Sequence, residues 1–190
     1  MSGGPGAPID PAVGIDQAVR IDPGERIDPA ERIDPGVRIG HVHLKVAEIE
    51  RSLAFYRDVL GFELTQRFGA GAAFLSAGGY HHHVGINVWE SRGGSWPPPG
   101  TTGLYHFAIL YPTRAALADA LRRVLAAGIH LEGAADHGVS EALYLRDPDG
   151  NGVELYWDRP REEWPHDADG NLAMVTEPLD VEDLLANTGG

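Results

Sequence analysis

Three side chains in this sequence are suited to hold a divalent metal together: His41, His106 and Glu154. Two imidazoles and one carboxylate occupy one face of an octahedron and leave the remaining positions open, the layout of non-heme Fe(II) oxygenases. Mn(II) accepts the same donors. Zn(II) accepts them too, although its sites favour four-coordination. The chain has 190 residues and no cysteine, so disulfides, thiolate ligands and cysteine nucleophiles are excluded. A strand histidine taken alone is more often a packed or surface residue than a ligand. These three stand out because an internal repeat pairs them. His41 lies 65 residues before His106, Gly61 lies 67 before Gly128, and Asn87 lies 67 before Glu154.

The elements that must position them follow from the apolar pattern. Residues 39–46 alternate as a strand does. Ile49, Leu53, Tyr56 and Leu60 recur at helical spacing over 48–60, and Gly61 is the stop. Strands are expected at about 62–68, 72–77 and 83–89, and the Gly/Ser/Pro-rich 91–102 is a linker. The order then repeats. A strand at 104–111 precedes a helix capped by Thr113, with Leu117, Ala120, Leu121, Val124 and Leu125 on its apolar face. Gly128 ends it, and strands follow at about 129–132, 141–146 and 152–157, the last two joined by D-P-D-G at 147–150. The fold class is therefore α+β: paired βαβββ modules, 39–90 and 103–158, forming a curved sheet around a metal-binding cleft. In the last strand, alternation puts Glu154 and Tyr156 on one face and Val153 and Leu155 on the other. A carboxylate among apolar neighbours is costly to bury unpaired, and a metal removes that cost.

The ends read differently. From Ile9 a six-residue unit recurs as IDPAVG, IDQAVR, IDPGER, IDPAER and IDPGVR. Four of the five units contain proline, and each offers only one or two apolar side chains. Residues 1–38 are therefore expected to be a disordered arm, 39–160 the ordered domain, and 161–190 an acidic tail. In that tail Leu179, Val181, Leu184 and Leu185 can form a short helix. The formal net charge of −13 argues against nucleic acid and anionic membranes as partners. No apolar run is long enough to span a bilayer and no secretory leader is evident, which points to the cytoplasm.

The H-V-H-L-K-V strand followed by R-S-L-A-F-Y, the doubled βαβββ order and the D-P-D-G-N-G-V-E-L-Y-W-D-R-P segment resemble the vicinal-oxygen-chelate superfamily of glyoxalases, bleomycin-resistance proteins and extradiol dioxygenases. Over about 39–165 the chain is most similar to the CatE-like catechol 2,3-dioxygenase branch, and M-V-T-E-P-L-D-V-E-D-L-L in the tail resembles a CatE-like segment. The resemblance implies Fe(II) on His41, His106 and Glu154, a small catechol-like aromatic substrate, O₂, and a homodimer. Glyoxalase-type sites usually add a carboxylate where this chain has Asn87, so a set of three ligands remains. The resemblance also implies catalytic roles for His83, Tyr144 and, across a small gap, His137. His83 would act as base and then acid, or steady an oxygen atom derived from O₂. Tyr144 and His137 would hydrogen-bond substrate oxygens. Two other readings stay open: a glyoxalase-type metal-dependent lyase or isomerase, and a metal-free binding protein of the bleomycin-resistance kind.

Overall fold

The computed structural model describes residues 32–186. Most of the arm read at 1–38 lies outside the described residues. The chain divides into two compact units, residues 1–41 and 42–190. In the first, a turn closes where the Val37 N–H donates to the Asp34 carbonyl at 3.0 Å and the Gly36 N–H to its carboxylate at 2.7 Å. His41 is the last residue of this unit and is exposed.

The second unit holds both repeats. The first runs β1 (Val42–Lys45), α1 (Ile49–Leu53), β2 (Glu63–Phe68), β3 (Ala72–Ser76) and β4 (Val84–Asn87). The second runs β5 (Phe107–Leu110), α2 (Arg114–Ala126), β6 (Leu131–Asp136), β7 (Ser140–Arg146) and β8 (Gly152–Asp158). Past them lie β9 (Glu177–Pro178) and α3 (Val181–Ala186). The sheets are ordered β1-β4-β3-β2 and β5-β8-β7-β6-β9. The first strand of each module pairs in parallel with that module's last, β1 with β4 and β5 with β8, and the other pairings are antiparallel. A parallel pair needs a crossover, which the helix of each module provides. The fold is thus the expected α+β one, built as two open sheets with the same strand order. β6 runs well past the expected 129–132, because it pairs with β7 as far as Asp136↔Glu141.

Each sheet buries one face. Leu44, Val84, Ile86, Ala73 and Leu75 from the first share a core with Leu143, Leu145, Val153 and Leu155 from the second. Leu117, Ala118, Ala120, Leu121 and Val124 of α2 join it, while Leu125 in the last turn stays 46% exposed. Thr113 caps α2 as expected, its hydroxyl accepting the Ala116 N–H at 3.1 Å. The expected helix at 48–60 is only partly α. Ala54–Val59 has π-type geometry, and the Leu60 N–H reaches back to the Phe55 carbonyl. Within it Tyr56 is fully buried and donates its hydroxyl proton to Asp147 at 2.8 Å.

That bond is one of several that anchor α1 on the D-P-D-G turn. Asp149 accepts the Ala47 N–H at 2.8 Å and the Ser52 hydroxyl at 3.2 Å, and it pairs with Arg51. Asp147 also takes the N–H groups of Asp149 and Asn151 and the Asn151 amide. Burial still raises the Asp147 carboxyl above its ordinary range, against the lowering effect of those hydrogen bonds. The tail packs on the second module. Leu184 is fully buried, Arg122 donates to the Leu185 carbonyl at 2.7 Å, and Arg114 bridges Glu141 and Asp183 at 2.7 Å each.

Candidate functional site

The open face of the second sheet carries the densest chemistry. Glu154 stands in β8 between its cross-strand partners Ala108 of β5 and Tyr144 of β7. Alternation turns it away from the core that takes Val153 and Leu155, as the sequence pattern required. One carboxylate oxygen lies 2.9 Å from His106 Nε2, and the other faces the Tyr144 hydroxyl at 3.3 Å. That hydroxyl lies 2.7 Å from His137 Nε2. The Tyr144 phenol is pushed up to about 12, first by burial and then by the Glu154 charge, so it keeps its proton at neutral pH. Of these groups, His106 and Tyr144 border a cleft of about 190 Å³ that Tyr105, Arg146 and Gly152 also line.

Gly152 makes this arrangement possible. A Cβ there would sit 2.1 Å from the Tyr105 carbonyl and 2.9 Å from His106 Cβ. Any side chain at 152 would push His106 off β8 and away from Glu154. The glycine thus sets how closely His106 approaches Glu154.

The first sheet presents a different set. His83 precedes β4, and its Nδ1 lies 3.1 Å from Ser76 Oγ and 3.4 Å from the Ala77 N–H. An N–H only donates, so His83 Nδ1 receives it through its lone pair and Nε2 carries the ring proton. Asn87 is 8% exposed, and its side-chain oxygen accepts the Trp89 N–H at 3.2 Å. The amide is therefore engaged within its own strand end. His43 stands over Gly85 between Phe74 and Trp89, with ring centroids 5.8 and 5.7 Å away. His81 and His82 bring their Nδ1 atoms to 2.8 Å, and Tyr80 stacks on the rings of His81 and His83.

The structure thus brings His106, Glu154, Tyr144 and His137 into one connected set. His83 sits with Ser76 and Tyr80. His41 belongs to the other unit, one residue before β1, as His106 stands one residue before β5. Among the described residues no group of three or more His, Asp or Glu side chains is arranged as a metal cage. The converging pair of His106 nitrogen and Glu154 oxygen nevertheless has the donor chemistry a divalent first-row ion takes. The Glu154 side chain, 13% exposed, is covered enough to need a cationic or hydrogen-bonding partner.

Several contributors went unseen in the sequence. The Val175 carbonyl lies 3.0 Å from His137 Nδ1, with Thr176 Oγ1 at 3.4 Å. The Tyr105 ring packs on His106 at 5.4 Å. Glu132 and Arg146 pair at 2.9 Å on the cleft border. The M-V-T-E segment was the sole hint of the first contact, and nothing in the sequence linked it to His137.

Comparison with known proteins places this geometry. A family model described as Glyoxalase/Bleomycin resistance protein/Dioxygenase superfamily matches residues 38–155. A catechol-2,3-dioxygenase of Bacillus subtilis (strain 168) is 44% identical over 152 residues, covering 80% of this chain and 52% of that protein. Biphenyl-2,3-diol 1,2-dioxygenase 3 of Rhodococcus globerulus is 36% identical over 123 residues, covering 64% and 63% respectively. The chain therefore spans about half of the first relative and less than two thirds of the second. A solved glyoxalase/dioxygenase from Nostoc punctiforme superposes with a TM-score of 0.56 at 18% identity, covering 68% of this chain and 98% of that one, a likeness of fold.

Proposed function

The chain belongs to the glyoxalase/bleomycin resistance protein/dioxygenase superfamily, and from that premise we propose that it is an extradiol dioxygenase acting on a catechol-like substrate with O₂. The observation that carries the reading is the chain of contacts from His106 through Glu154 and Tyr144 to His137. It puts two metal donors beside two proton-bearing groups, with His106 and Tyr144 on the border of one cleft. In this reading His106 and Glu154 hold Fe(II) together with His41, which enters from the sequence repeat alone. Mn(II) and Zn(II) fit the same donors less specifically. The use of the Asn87 amide within its own strand end supports a three-ligand set over a glyoxalase-type set of four.

Fe(II) held by these residues would supply Lewis-acid and one-electron chemistry toward the catechol and O₂. The protein's own groups then manage protons. A catechol must shed protons to be cleaved, and Tyr144 with His137 forms a path along which one moves away from the metal-facing carboxylate. Tyr144 stays a phenol whose one O–H turns to Glu154 or His137, which leaves its oxygen to accept from a substrate hydroxyl. His83, with Nδ1 engaged, offers Nε2–H as a hydrogen-bond donor. That favours its oxygen-steadying role over its role as initial base.

No helix among the described residues is long and apolar enough to cross a membrane. A cytoplasmic homodimer completes the proposal; sedimentation measures the assembly, and a monomer would remove that part alone. Elemental analysis of anaerobically purified protein, followed by O₂ uptake with a panel of catechols, tests the function. Stoichiometric iron, oxygen consumption and a yellow ring-cleavage product are expected. Bound Zn²⁺ or Ni²⁺ without oxygen uptake would replace this reading with the lyase or isomerase one.

A further inference from the structure

His137 stands in the tight β6–β7 turn, and the C-terminal segment grips it from two sides. The Val175 N–H donates to the His137 carbonyl at 3.1 Å, while the Val175 carbonyl lies 3.0 Å from His137 Nδ1. Immediately beyond, β9 pairs with Ala135 and Asp136 of β6. The same turn is covered by Pro165 and Val175, whose side chains a Cβ at Gly138 would meet at 2.9 and 3.4 Å. Farther along, α3 is locked down by buried Leu184, the Arg114–Asp183 ion pair and the bond from Arg122 to the Leu185 carbonyl. The placement of Val175 is therefore determined by a whole docked segment rather than by one loop contact.

A carbonyl oxygen accepts and never donates, so a 3.0 Å approach requires the proton on Nδ1. In a neutral ring this leaves Nε2 with its lone pair. Nε2 is the atom 2.7 Å from the Tyr144 hydroxyl. The opposite tautomer would set two lone pairs against each other at Val175, so that contact selects the state of the ring. The Tyr144 contact suits the same state when the phenol turns its single proton from Glu154 at 3.3 Å to Nε2 at 2.7 Å. His83 has the reverse arrangement, with its Nδ1 lone pair receiving the Ala77 N–H.

We propose that Val175 is a positioning residue: its carbonyl, held in place by the docked tail, fixes His137 as the Nδ1–H tautomer, so that Nε2 is the proton acceptor for Tyr144. The two active-site histidines are then set to opposite tasks, His137 accepting through Tyr144 and His83 donating. The tail is part of the catalytic arrangement although none of its side chains enters the metal set. The activity arm of the test rests on the dioxygenase reading; the tautomer arm does not.

The experiment is long-range ¹H–¹⁵N correlation of the histidine rings in ¹⁵N-labelled full-length protein, with His137 assigned from the His137→Gln spectrum. The wild type is expected to show a protonated Nδ1 and an unprotonated Nε2 at His137. Val175→Ala keeps both backbone groups and should keep the signature. Val175→Pro removes the N–H that anchors the segment; it should lose the pure Nδ1–H signature and lower kcat by about tenfold or more with KM little changed, part of a general acid–base contribution of roughly 10²–10⁴-fold. A wild-type His137 with the proton on Nε2 would overturn the proposal, whether or not Val175→Pro folds. So would a folded Val175→Pro chain that keeps the Nδ1–H signature. A wild type with the expected tautomer and no oxygen uptake on any catechol would overturn the dioxygenase reading and leave the positioning role of Val175 standing.

Discussion

Where the second sheet carries Glu154, the first carries Asn87, and the surroundings of the two differ as much as the residues do. Glu154 lies beside Tyr144 across the ladder and reaches His106. Asn87 lies beside Ala72, and its amide turns back to the Trp89 N–H. The strand order is the same in both sheets. What separates them is whether the polar group of the last strand points outward to partners or is used up locally. A repeated module thus keeps its fold while its outward polar residue changes, because the fold depends on the apolar face and residues 87 and 154 stand on the other.

The sharpest way to break this contrast is to truncate one polar residue in each half. His106→Ala should take the protein from stoichiometric iron to none, with loss of all turnover, whereas Asn87→Ala should leave the iron content unchanged. Full metal in the first variant, or loss of metal in the second, would reverse the assignment. Proton handling comes next. Tyr144→Phe and His83→Ala should each retain iron and lower kcat by roughly 10²–10⁴-fold. Unchanged turnover in His83→Ala would return that residue to a solvated hairpin and leave the second sheet as the sole seat of proton chemistry.

A smaller effect tests how the halves are joined. Tyr56→Phe leaves the buried Asp147 short of one donor and should cost about 1–3 kcal/mol in urea denaturation. A midpoint identical to wild type would show that the other three donors suffice. The smallest effect is alkaline. Burial pushes Tyr111 up to about 12, as burial and Glu154 push Tyr144. With folded values above the unfolded value of about 10, these phenols contribute stability that is complete below about pH 10 and lost as pH climbs to about 12. The denaturation midpoint should fall across that window, and Tyr111→Phe should reduce the fall. An unaltered slope in that variant would assign the effect elsewhere.

The apolar periods made both modules legible, and the nearly constant offset between His41 and His106 and between Asn87 and Glu154 singled out the candidate positions. Alternation told which face Glu154 would occupy. The limits came from contacts that have no local signature. The π-type turn at Ala54–Val59 is invisible to a helical period, since Ile49, Leu53, Tyr56 and Leu60 suit an ordinary helix equally well. The hold of Val175 on His137 joins residues 38 apart through backbone atoms, which carry no sequence code. The role of Gly152 was equally hidden, because in the sequence it only opens the expected strand at 152–157, whereas in the fold it decides how near His106 comes.

The D-P-D-G turn has a consequence for the molecule as a material object. Two aspartates of the second module supply the seat for α1 of the first, and both sheets share one apolar interior. The repeat visible in the sequence is therefore not a pair of separable building blocks. Cutting within 91–102 would yield halves that each expose a raw hydrophobic surface and a widowed carboxylate or hydroxyl. Heat should melt the intact chain in one calorimetric peak, and neither fragment should find its shape without the other present in the same tube.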